Sequence, residues 1–196
     1  MANRYAGPSS PVFLQNLLVL ADAELANGDA KAARAALIKD RDVSLDQYGP
    51  KHLWTLRAQV WLANLEFKQG QASVARAELV PAIAQLRDLG KRGEAVVAQG
   101  LRYLGGSDLS AGNPAAAAES LRQADAILSR YAATGWNRAV ARERLGEALL
   151  ALRQPGAADE LNQAVSVMLR EVGPDHAEVV RAKTALRALD KATPVP

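Results

Sequence analysis

The chain has no cysteine. Disulfides, a thiol nucleophile and thiolate metal sites are therefore excluded. A cysteine-free sequence suits a reducing compartment, so a cytoplasmic location is expected. Aromatic residues make up only 5% of the 196 positions, whereas 49% are hydrophobic. A core built on alanine and leucine, which pack helices closely, follows from that imbalance. The net charge is a modest +3, and basic and acidic residues alternate. No Lys/Arg run resembles a nucleic-acid arm, and nucleic acid is not expected as a partner. No apolar run approaches the roughly 20 residues of a membrane span. The stretch Val12 to Leu20 behind Arg4 has the look of a signal-peptide core, but Gln15 and Asn16 interrupt it, and it reads as a first helix.

Motifs that carry chemistry are missing as well. There is no His-Glu-x-x-His, P-loop, glycine-rich dinucleotide turn or nucleophile elbow. The two histidines, His52 and His176, stand in equivalent contexts at two helix starts, which points to a repeated structural residue rather than a metal or acid/base pair. Glu143 and Glu147 share an i,i+4 face beside Arg144, a pattern that reads as a solvated helix face. Nothing assembles a nucleophile with a base, so neither enzyme activity nor a cofactor or metal is expected.

What the chain does have is a repeat. Gly28, Gly70 and Gly112 recur every 42 residues, and a fourth turn, Arg153-Gln154-Pro155-Gly156, follows. Eight residues before each anchor sits a leucine: Leu20, Leu62, Leu104 and Leu145. The next position is tiny in every copy: Ala21, Ala63, Gly105 and Gly146. Beyond the turn come Ala33, Ala75, Ala117 and Ala158, then Leu37, Leu79, Leu121 and, one residue early, Leu161. Tiny residues on the first helix and alanines on the second let two helices approach, and the leucines fill the space between them. Glycine supplies the backbone a short helix-to-helix turn needs. No pair buries its apolar face alone, so the pairs must stack.

Leu62-Ala63, Gly70, Ala75 and Leu79 resemble the pattern of tetratricopeptide (TPR) repeats, over roughly residues 12–191. The family's tryptophan position holds Leu17, Gln59, Leu101 and Arg142. The 42-residue spacing, with Gly49-Pro50-Lys51-His52 and Gly173-Pro174-Asp175-His176 before first helices, resembles the long-spaced kinesin-light-chain type. The resemblance implies an all-α, right-handed α-solenoid of four antiparallel helix pairs plus a C-terminal capping helix. The expected organisation is a lead-in over 1–10, a superhelical domain over 11–191 with repeats at about 11–48, 51–89, 93–132 and 136–172 and a cap at 174–190, and a tail over 192–196. Ser10-Pro11 reads as a helix start, Asp29 as an N-cap, and Pro81 as a residue inside a helix that bends it or removes a backbone hydrogen bond.

In such arrays the first helices line a concave groove. Carried over by position, Gln15, Val19 and Asp22 face it in repeat one. Arg57, Trp61, Asn64 and Lys68 follow in repeat two, Gln99, Arg102 and Tyr103 in repeat three, and Glu143, Arg144 and Glu147 in repeat four. Aromatics and arginines are suited to peptide recognition. The carboxylate clamp of chaperone-binding members is not expected, since Leu18, Val60 and Gln99 stand where cations belong. The resemblance thus implies a non-catalytic scaffold that binds a protein or peptide. The alternative is a self-associating or regulatory module of a larger bacterial signalling protein, a kinase or transcriptional regulator.

Overall fold

The computed structural model describes residues 10–131 and 135–192, with side chains to residue 189. The expected lead-in and tail lie outside these residues, apart from Ser10 and Ala192. Among the described residues there are nine α-helices, one short 3-10 turn and no strand. They fall into two compact units, one ending at Gly100 and the other starting at Leu101.

The first unit contains α1 (Pro11–Ala26), α2 (Ala30–Tyr48), α3 (Leu53–Lys68), α4 (Ala72–Asp88), the 3-10 turn Gly90–Arg92 and the start of α5 (Glu94–Ser110). Caps set its helix starts. The Ser10 hydroxyl accepts from Phe13 N–H with Pro11 in the first turn, and Asp29 accepts from Ala32 N–H at 2.8 Å. Each such cap stabilises its helix by about 1 kcal/mol. Gly49, at φ 84°, ends α2, and the Gly-Pro-x-His phrase that follows is structural. Thr55 donates to the Gly49 carbonyl, His52 Nδ1 accepts from Trp54 N–H, and the His52 ring stacks on Tyr48 at 4.6 Å. Leu18, Ala21, Ala33, Leu37, Leu62 and Leu65 form the core between α1, α2 and α3. Pro81 lies inside α4, on its exposed side, and the helix continues to Asp88.

The second unit holds the rest of α5, α6 (Pro114–Tyr131), α7 (Trp136–Ala151), α8 (Ala157–Val172) and α9 (Ala177–Ala192). Its small residues mark close approaches. A Cβ on Gly105 would stand 2.5 Å from Leu121 Cγ, and one on Gly146 would stand 2.6 Å from Leu161 Cγ. Ala139, Val140, Ala164, Met168 and Val179 form a core cluster under Trp136 and Val167. The cap helix α9 packs on α7 and α8 through Val179 and Ala182, while Val180 is 50% exposed.

The four turns share one hydrogen-bond pattern. Gly28, Gly70, Gly112 and Arg153 donate to Leu25, Phe67, Leu109 and Leu150, and the residues after them, Asp29, Gln71, Asn113 and Gln154, donate to Glu24, Glu66, Asp108 and Leu149. This is the paired closure that ends helices in a left-handed residue. The three glycines have φ of 76–83°, and Arg153 takes the same role at φ 52°. Beyond Arg153 the frame shifts. Ala158 is exposed, and Ala157, at 3% exposure, fills the buried alanine position, with its carbonyl beside Gly146. The missing residue of the fourth copy therefore lies inside its turn.

Candidate interaction surfaces

Position along the first helices places thirteen residues in a groove; the structure sorts them by burial and pairing. In the first unit Arg57 is 5% exposed. Its Nη1 donates to Gln15 Oε1 at 2.9 Å, and its Nη2 donates to the Leu14 carbonyl at 3.1 Å and Asp40 Oδ2 at 3.0 Å. The guanidinium also lies 4.4 Å from the Trp54 ring. Burial pushes the Arg57 pKa down and that of Asp40 up, and each opposes the shift in the other. Arg57 thus ties α1, α2 and α3 together. Asn64 is also buried, and Trp61 packs half-buried on the α1–α2–α3 core. Lys68 is exposed and Gln99 half-buried. Gln15, Val19 and Asp22 are exposed.

In the second unit the five named residues are linked. Glu143 is fully buried, which corrects its reading as part of a solvated face. Arg181 of α9 grips it at 2.5 and 2.7 Å and lies 3.4 Å from Glu147. That grip raises the Arg181 pKa. Burial lowers the Arg144 pKa, with Arg181 and Arg102 adding to the shift and Glu143 and Glu147 opposing it. Glu147 is pushed up to about 7, first by burial and then by the neighbouring Glu143. The Arg102 guanidinium lies 4.4 Å from the ring of Tyr103, which is 8% exposed. This network sits beside an open hollow of about 580 Å³ lined by Glu147, Leu150, Ala151, Arg181 and Ala188. Arg181 was missed from sequence because its role depends on α9 crossing α7.

A second region was also missed. Asp125 of α6 accepts from Arg138 Nε at 2.7 Å and Arg142 Nε at 2.9 Å, and Arg142 also donates to Gln163. Burial pushes the Asp125 carboxyl up, but hydrogen bonds from the two guanidiniums more than offset it and leave it below the usual range. The available signal was Arg138 and Arg142 at i,i+4, with Arg142 at the family's tryptophan position.

No family model matches the sequence, and no curated protein does. Solved structures do match. Two crystal structures of kinesin light chain nearly identical TPR-like repeats from Podosopora anserina, one of them a single-substitution form, superpose with TM-scores of 0.70 and, for the substituted form, 0.69. Both are 21% identical to this chain. The matches cover 95% and 94% of this chain and 88% and 87% of theirs. The chain has a TPR-like fold. In this TPR-like chain no group of three or more His, Cys, Asp or Glu able to hold a metal ion occurs among the described residues. Nor is any described helix long and apolar enough to cross a membrane. His52 caps α3, and His176 packs edge-on to Trp136 at 5.1 Å.

Proposed function

We propose that the chain is a non-catalytic protein–protein interaction scaffold, over residues 11–191, acting in the cytoplasm and taking a protein or peptide along its first helices. The TPR-like fold is the observation that carries this reading. Burial refines the contact set. Trp61, Lys68 and Gln99 in one unit, and Arg102, Arg144 and Glu147 in the other, are the proposed partner contacts. Arg57, Asn64, Tyr103 and Glu143 are buried and position the helices. The test is affinity capture from a lysate of the source organism with wild type and a Lys68→Glu/Arg102→Ala variant, both checked by circular dichroism. Proteins held by wild type and lost by the folded variant support the reading; identical sets refute the first-helix surface.

A second reading, self-association, is favoured by α1. Leu62, Leu104 and Leu145 are at most 9% exposed, yet Leu20 at the same repeat position is 46% exposed, beside Val19 at 57%. Light scattering across concentrations tests it. A dimer that Leu20→Glu dissociates supports association through α1, and a monomer at every concentration rejects it.

A further inference from the structure

In the second unit α7 and α8 enclose a cleft of about 560 Å³. Its charged lining is cationic throughout: Arg138 and Arg142 from α7 and Arg170 from α8. Ala139 and Val167 make an apolar floor, and Asn162, Gln163 and Ser166 add amide and hydroxyl donors. Asp125 stands outside the lining and takes Arg138 through Nε and Nη2, at 2.7 and 3.3 Å, and Arg142 through Nε. One carboxylate therefore sets the orientation of two guanidiniums. Glu160, 3.6 Å from Arg142, also lies outside the lining, and burial raises its pKa.

The first unit holds the positional counterpart, since Gln59 and Arg142 stand at the same distance before Gly70 and Arg153. That cleft, of about 480 Å³, is lined by Arg34 and Arg41 but also by Glu66 and Glu78. Arg34 is bound to Glu66 at 2.5 Å. Of these two clefts, the one in the second unit is the one whose charged lining residues are all cations.

A single carboxylate is satisfied by one guanidinium fork. Three arginines with amide and hydroxyl donors match a dianion that has three terminal oxygens. We propose that this cleft binds a phosphate dianion, either free or carried on a phosphorylated side chain. The inference goes beyond the scaffold reading and does not depend on it.

Calorimetry on the full chain at constant ionic strength tests it with three probes: inorganic phosphate, N-acetyl-O-phosphoserine amide and N-acetyl-aspartate amide. Phosphoserine is expected to bind at one site, about tenfold more tightly than aspartate, the factor that one added charge-assisted contact supplies. Arg170→Glu and Ser166→Asp change exposed positions and leave the fold in place. Each is expected to weaken phosphoserine by about tenfold or more, while Lys31→Glu, at an exposed position of the first unit, leaves it unchanged. Tighter binding of phosphoserine than of inorganic phosphate assigns the cleft to a phosphorylated side chain, and equal affinities assign it to the free anion. Equal binding by wild type and Arg170→Glu, equal affinity for aspartate and phosphoserine, or no saturation by either phosphate probe overturns the proposal.

Discussion

Glu147 gives the chain a pH dependence that one substitution can isolate. Its carboxyl is pushed from 4.5 to about 7 by burial and by the adjacent Glu143, against the pull of Arg181 and Arg144. A carboxyl raised in the fold keeps its proton where the unfolded chain has already released it. Its contribution is therefore fully present below pH 4.5 and is lost as pH rises to about 7. At about 1.4 kcal/mol per pH unit the ceiling is about 3.5 kcal/mol. The side chain keeps 26% of its exposure, so about 2 kcal/mol is expected after allowing for residual hydration. His52, whose pKa is lowered by burial and by Arg92, acts in the opposite direction as pH falls through its own range. Only the difference between wild type and Glu147→Gln is therefore diagnostic. Urea unfolding at pH 4.5, 5.5, 6.5 and 7.5 gives the stability of each by linear extrapolation. The wild type should lose about 2 kcal/mol relative to Glu147→Gln across that range. Parallel pH profiles for the two proteins would refute the reasoning.

The first unit offers a paired test. Arg57→Ala should destabilise by about 3–5 kcal/mol, because it strands Asp40 in the core, and Arg57→Met/Asp40→Leu should recover most of that loss in urea unfolding. Arg153→Gly should raise stability by about 0.5–1 kcal/mol, since Arg153 holds a left-handed backbone at φ 52° on an exposed turn. An unchanged or lower melting temperature would count against that account.

The helix pairs were legible because steric demands leave local marks. Turn glycines, tiny residues and their leucines sit at fixed separations, and Gly105 against Leu121 shows the contact those separations encode. Helix starts were legible where a cap names itself, as at Ser10 and Asp29. The surface was less so. Arg57 and Glu143 occupy positions on a helix face where a groove is expected, but their fate is decided by Asp40 on α2 and Arg181 on α9. The repeat frame does not specify those partners, because each pair occurs once rather than in every copy. Arg138 and Arg142 escaped for the same reason, since their convergence depends on Asp125 in a different helix.

The fourth turn separates two lengths that the first three copies make look identical. Arg153 keeps the closing hydrogen bonds, Ala157 and Leu161 keep the contacts with Gly146, and the residue lost between them is absorbed by Gln154-Pro155-Gly156. The turn works as an expansion joint: chain length varies there while the lateral spacing of the helices stays fixed. A sequence built this way can drift out of phase with its relatives, copy by copy, without moving a packed side chain. Its likeness to them then persists in space after it has faded along the chain.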